Sequence, residues 1–153
     1  MYGKILVPVD GSARAEEILP HVEELASKYR STVLLLRVME ITVKIEGVEF
    51  MPLVGGTEMV NRAMEEERKA AATYLEGVKV RLQAKGIATQ TRVVYGPVVE
   101  ALIMAAGQEK VDLIAMASHG RTGAARVFYG SVASGILHRV DRPLLIVRSR
   151  KAD

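Results

Sequence analysis

No cysteine occurs among the 153 residues. Disulfides and thiolate-held metals are thereby excluded, and the composition fits a reducing interior. Tryptophan is absent as well, and aromatics make up only 5%, so no stacking platform for single-stranded nucleic acid stands out. No apolar run approaches the roughly 20 residues of a membrane span. Near the N-terminus, Ile5-Leu6-Val7 is too short for the apolar core of a signal peptide, and Asp10 follows at once. A cytoplasmic protein with no membrane association is the expectation. There is no H-E-x-x-H and no paired-carboxylate motif, so no dedicated metal site is expected. The phosphate loop G-x-x-x-x-G-K-[ST] is also missing. The turn after the first apolar run reads Asp10-Gly11-Ser12 rather than G-x-G-x-x-G, which disfavours a dinucleotide site.

What is present is an ordinary globular composition, 49% apolar and 25% charged, with a formal net charge of +3. The length suits one domain spanning residues 1–153, with a substantial core. Lysine and arginine are scattered rather than clustered. The positive balance therefore reads as surface chemistry, and nucleic acid is not the expected partner.

Short apolar runs alternate with helical periodicity. Ile5, Leu6, Val7 and Val9 suggest a central strand buried on both faces. Pro8 should end that strand's pairing, because it has no N–H to donate. Ser12 can cap the first helix. Ile18, Leu19, Val22, Leu25, Ala26 and Tyr29 recur at helical spacing, so residues 13–30 are expected to form a helix, bent near 16–20 by Pro20. Val33–Val38 is a second strand. Residues 40–57 lose the pattern and are expected to be a flexible insert or loop, although alternating Ile41, Val43 and Ile45 could also form a hairpin arm. Helical spacing returns over 58–85, with Thr57 as cap and Gly86 as terminator. Thr89–Tyr95 is a third strand. Pro97 opens a helix that runs to about Gly107. Leu113–Ala117 is a fourth strand, residues 131–140 a short helix, and Leu144–Val147 a fifth strand. This βαβ alternation predicts an α/β fold: an open parallel five-stranded sheet with helices on both faces. In such sheets ligands bind beyond the C-terminal strand ends, where the strand order reverses.

The most distinctive stretch comes after the fourth strand. Ala117-Ser118-His119-Gly120 is followed by nine residues, Arg121 to Tyr129, and then by Gly130-Ser131. Glycines there let backbone N–H groups turn toward a ligand, a helix start favours an anion, and Arg121 and Arg126 make the loop basic. This resembles the nucleotide loop of the universal stress protein family: Gly, two residues, Gly, nine residues, then Gly-Ser or Gly-Thr. Ala117 stands where that family has its first glycine, one methyl larger. The order of elements over almost the whole chain is similar as well.

The resemblance implies strand order 3-2-1-4-5 in a Rossmann-like sheet, which would bring Asp10 and the 117–131 loop together. It implies ATP, or a related adenine nucleotide such as AMP or ADP, as ligand, with magnesium able to arrive on the phosphates. Pro8 and Asp10 would lie near adenine and ribose. Val38 would offer backbone groups to the adenine edge. Met116 and Ala117 would line the ribose side. Gly120, Gly130, Ser131 and Val132 would hold phosphates through backbone N–H groups and the Ser131 hydroxyl, with His119 and Arg121 beside them. From the residues alone, Asp10 could equally be a turn residue bonding its own backbone, and Ser131 a helix cap. His119 has no partner in sequence that would make it a general base, and His21 and His138 look like helix-surface residues. A homodimer through strand 143–148 is also implied; Arg148, Arg150 and Lys151 could instead guard a monomer's sheet edge. The expected function is a nucleotide-dependent stress-response or regulatory protein, acting on protein partners that the residues do not identify. Two alternatives are a slow ATPase or phosphotransferase using the same pocket, and a nucleotide-free dimeric interaction module.

Overall fold

A computed structural model describes residues 1–40, 43–45, 48–50, 58–118 and 130–150. Strand β1 is Lys4–Pro8, β2 is Thr32–Met39, β3 is Val43–Ile45, β4 is Val48–Phe50, β5 is Thr89–Tyr95, β6 is Leu113–Ala117 and β7 is Leu144–Val147. Helix α1 is Leu19–Tyr29, α2 is Glu58–Ala84, α3 is Val98–Gln108 and α4 is Ser131–Leu137. The main sheet has five strands in the order β5-β2-β1-β6-β7, and every pair in it is parallel. With the hairpin set aside, that is the order 3-2-1-4-5.

Alternation along the central strands separates two cores. Ile5, Val7 and Val9 of the first strand region join Val33 and Leu35, the α1 residues Leu19, Val22 and Ala26, and the α2 residues Leu75, Val78 and Leu82. Leu6 joins Leu34, Leu36 and Val38, the α3 residues Leu102, Ala105 and Ala106, and Ile136 of α4. Both faces are therefore covered, as a parallel sheet requires.

Several boundaries differ from expectation for identifiable reasons. Residues 13–30 are not one bent helix. A single 3-10 turn, Ala15–Ile18, precedes α1, and Pro20 sits at the start of α1. The first N–H groups of a helix have no partner inside it, so Pro20 loses nothing there, whereas deeper in the helix it would break a bond. Pro97 is the residue before α3 rather than its first. Gly130, not Ser131, is the cap position of α4, and that helix stops at Leu137 rather than Val140. The Arg139 and Val140 N–H groups both donate to the Ile136 carbonyl, at 3.0 and 3.1 Å, which closes the last turn. Gly86, at φ 79°, ends α2 in the left-handed conformation that favours glycine. Within 40–57, β3 and β4 form an antiparallel hairpin, the arm form of the insert. The other positions from 41 to 57, including Thr57, lie outside the described residues.

Leu75 anchors α2 to the sheet and is fully buried. Leu75→Ala should cost about 2–5 kcal/mol through lost burial and a residual cavity. In a thermal melt this should lower Tm by roughly 5–15 °C.

Candidate functional site

The sheet opens at one place. The β1–β2 register runs to Pro8↔Leu36, and the β6–β7 register runs to Ala117↔Val147. Between them, the β1–β6 register stops at Leu6↔Ile114. Hydrogen-bond direction explains the difference. The Gly3 carbonyl accepts from Thr32 N–H at 2.8 Å, and Val9 N–H donates to the Leu36 carbonyl at 3.0 Å, so odd residues of this segment face β2. The Lys4 carbonyl accepts from Asp112 N–H at 2.8 Å, so even residues face β6. Pro8 therefore presents its missing N–H to β6, where the ladder ends, and not to β2, where the ladder continues. The strand order also reverses between β1 and β6. Both facts place a crevice at the C-terminal ends of β1 and β6.

Each wall can be assigned residues. Just beyond β1, Asp10 Oδ1 accepts from the Ser12 N–H at 2.9 Å and from the Ser12 hydroxyl at 2.6 Å. Ser12 Oγ in turn accepts from Ala15 N–H at 3.1 Å. The turn reading of Asp10 is thus realised, and the turn sets the carboxylate at the mouth of the crevice. Gly11 has φ 87°, a value that glycine tolerates and other residues rarely adopt. On β2, the N–H of Val33 donates to the Ala88 carbonyl, and the Met39 carbonyl accepts from Gly96 N–H, so odd residues face β5. Val38 is then turned toward β1's side, beyond the last β1–β2 pair. On the opposite wall, Met116 and Ala117 are buried at the end of β6. Ala117 pairs with Val147 and is not among the non-glycine residues with positive φ, so its methyl fits the strand conformation. Gly130, Ser131 and Val132 begin α4 beside this strand end. His119, Gly120 and Arg121 lie outside the described residues. His21 and His138 are exposed, on α1 and at the end of α4.

The base of the 119–129 loop is tied at both ends. Ser118 is 3% exposed. Its N–H donates to the Val147 carbonyl at 2.8 Å, and its carbonyl accepts from Gly130 N–H at 2.9 Å. Its hydroxyl oxygen accepts from Ser149 N–H at 3.2 Å. The Ser149 hydroxyl donates to Glu17 Oε1 at 2.9 Å. Arg150 N–H reaches both oxygens of Glu17, at 3.2 and 3.1 Å. Neither Glu17 nor Ser149 carries a sequence signal for this role, since they lie 132 positions apart.

A second link holds α2 against the segment after β1. The Tyr74 hydroxyl donates to Glu16 Oε1 at 2.7 Å, and Arg81 donates to Glu16 Oε2 at 3.0 Å. Burial of Tyr74, then its bond to the Glu16 carboxylate, pushes its phenol above the ordinary range, and the Asp10 charge adds to the effect. Among the described residues, no group of three or more His, Cys, Asp or Glu side chains could hold a metal ion. No described helix is long and apolar enough to cross a membrane.

The model of the universal stress protein family matches residues 1–148. The chain belongs to that family. A universal stress protein of Methanocaldococcus jannaschii is 29% identical over 160 residues, covering 99% of this chain and 98% of the relative. The solved structure of that relative superposes with a TM-score of 0.83 at 30% identity, covering 99% of each chain. A universal stress protein solved in complex with cyclic AMP gives a TM-score of 0.70 at 19% identity, covering 97% of this chain and 98% of its own. One from Archaeoglobus fulgidus, solved in complex with dAMP, gives 0.67 at 18%, covering 95% and 97%. At those two identities the likeness establishes the shared fold. The parallel sheet with helices on both faces is the universal stress protein fold.

Two measurements check this geometry. A tyrosine whose folded pKa is raised stabilises the fold fully below its unfolded pKa, near 10, and that contribution is lost as pH rises toward the folded value. Tyr74→Phe should therefore flatten the alkaline limb of stability in urea melts taken from about pH 9 to 11. Ala117→Gly should cost about 0.5–1 kcal/mol of stability, because glycine weakens a strand it does not need to bend.

Proposed function

We propose that this universal stress protein binds ATP or a related adenine nucleotide in the β1–β6 crevice and acts as a nucleotide-dependent regulatory protein in the stress response. The observation that carries the reading is the early end of the β1–β6 ladder, with Val38's backbone turned toward β1's side beyond the last β1–β2 pair. Backbone donors and acceptors beside the buried end of β6 would suit adenine, whose rim alternates hydrogen-bonding groups. Asp10, held by its turn, suits ribose hydroxyls, which donate to a carboxylate. Pro8 would flank the base, and Met116 and Ala117 the sugar. Gly130, Ser131 and Val132, with His119, Gly120 and Arg121 of the loop, would take the phosphates. Relatives of the same fold solved with cyclic AMP and dAMP support an adenine ligand. Magnesium would come with the phosphates rather than occupy a protein site.

The chain acts as one domain in the cytoplasm, and as a dimer through residues 143–148. Support for the dimer is that β7 ends the sheet order, and an edge strand is a template for pairing with a second chain. Nucleotide binding would order the 118–130 loop and so alter the surface offered to protein partners. Among the described residues, no nucleophile or base marks the crevice as an enzyme site.

The decisive measurement denatures the purified protein and chromatographs what is released. An adenine nucleotide is expected, and Asp10→Ala should weaken ATP binding about tenfold or more, because a hydrogen bond to a charged group contributes roughly 1.5–3 kcal/mol. An empty protein that also gives no calorimetric signal with ATP would overturn the reading in favour of a nucleotide-free module.

A further inference from the structure

Neighbouring strands in a parallel sheet normally have their separation set by the ladder between them. The C-terminal ends of β1 and β6 lack that constraint, because their register stops at Leu6↔Ile114. Something else must fix the width of the crevice on its loop side. The described contacts supply one continuous link. The chain after β1 passes through the 3-10 turn and presents Glu17. Glu17 accepts from the Ser149 hydroxyl and from the Arg150 N–H. Ser149 N–H donates to Ser118 Oγ, and Ser118 holds Val147 on one side and Gly130 on the other. The four residues Val147 to Arg150 thus form a strap from the edge strand across the end of β6 to the segment just after β1.

We propose that Glu17 is a positioning residue of the nucleotide site: by holding the 147–150 strap it fixes the base of the loop that begins at Ser118 and ends at Gly130. The inference rests on the crevice being an adenine-nucleotide site. Through these bonds Glu17 holds the tail, so its effect by this route is indirect. The chemistry favours a carboxylate: two donors on adjacent residues converge on it, and charged acceptors form the stronger bonds. Glutamine keeps one acceptor oxygen but turns an NH2 group toward a donor. Alanine leaves both donors without this partner. The strap bonds Ser118 at the loop base directly, whereas its link to Asp10 runs through the turn at Ala15 and Ser12, so loosening it should affect phosphate binding more than the nucleoside.

The test uses the full chain and two readouts. In ligand-free protein, amide hydrogen exchange at Ser118 and Gly130 should speed up about tenfold in Glu17→Ala, less in Glu17→Gln, with β2 amides unchanged. By calorimetry, ATP affinity should fall about tenfold in Glu17→Ala, while adenosine affinity stays within about twofold. Ser149→Ala removes only the hydroxyl and should show the same split more weakly; it keeps the test open if Glu17→Ala does not fold. Unchanged exchange at Gly130 overturns the proposal, as does an ATP affinity that is unchanged, tighter, or reduced in step with adenosine. If the wild-type protein binds neither ATP nor adenosine, the nucleotide reading itself has failed; the exchange data on ligand-free protein still decide whether Glu17 holds the loop base.

Discussion

A missing N–H at Pro8 shapes the functional end of this fold. In a parallel sheet each residue bonds to one side only, so a proline does no damage on the side its nitrogen does not face. Here the segment's odd residues bond β2 and its even residues face β6. The lost donor falls on the β6 side, where the strand order already reverses. Pairing with β2 continues through Pro8↔Leu36 and keeps β1 anchored in the sheet. The crevice is therefore opened without loosening the core, and the buried residues on both faces of β1 and β2 hold its floor.

The walls are set by turns rather than by large side chains. Asp10 is fixed by a three-residue turn with Ser12, and Ser118 by bonds to both flanking segments. Backbone groups point where the strand alternation puts them, which is how Val38 comes to face β1's side beyond the last β1–β2 pair. A site of this kind depends on strand register and a few small residues. That fits a chain sharing 29% of its residues with the Methanocaldococcus jannaschii relative while keeping the family's fold.

The same logic separates what could be read in the sequence from what could not. The five core strands were legible because each is a short apolar run between turn signals, and their order followed from the family resemblance. Pro8 was legible as the end of the first strand, since proline's effect is local, although pairing with β2 runs on through it. Pro20 misled, because a helical pattern running through it looks like one bent helix; only the structure shows that the pattern covers a 3-10 turn and then a new α-helix beginning at Leu19. Ser131 was read as a cap one residue late for a similar reason. Gly130 can occupy that position through its backbone alone, without the side-chain oxygen that makes a cap recognisable. The Glu17–Ser149–Ser118 link was invisible because nothing in a sequence marks a contact between positions 17 and 149.

Glu16 and Glu17 show how much one short turn can connect. A 3-10 helix has about three residues per turn, so consecutive side chains diverge by about 120°. Glu16 therefore reaches Tyr74 and Arg81 of α2, while its neighbour reaches Ser149 and Arg150 beyond β7. An α-helix would splay these neighbours by only about 100° and carry them along its axis more slowly, about 1.5 Å per residue against 2.0 Å. Pro20 lies in the first turn of α1, which begins at Leu19, and the four residues before that helix, Ala15–Ile18, wind more tightly. The turn thus joins the long helix after the hairpin, the carboxylate of Asp10 and the strap from the edge strand. Anything that moves the edge strand, including pairing with a second chain, acts on the same few bonds that hold the crevice.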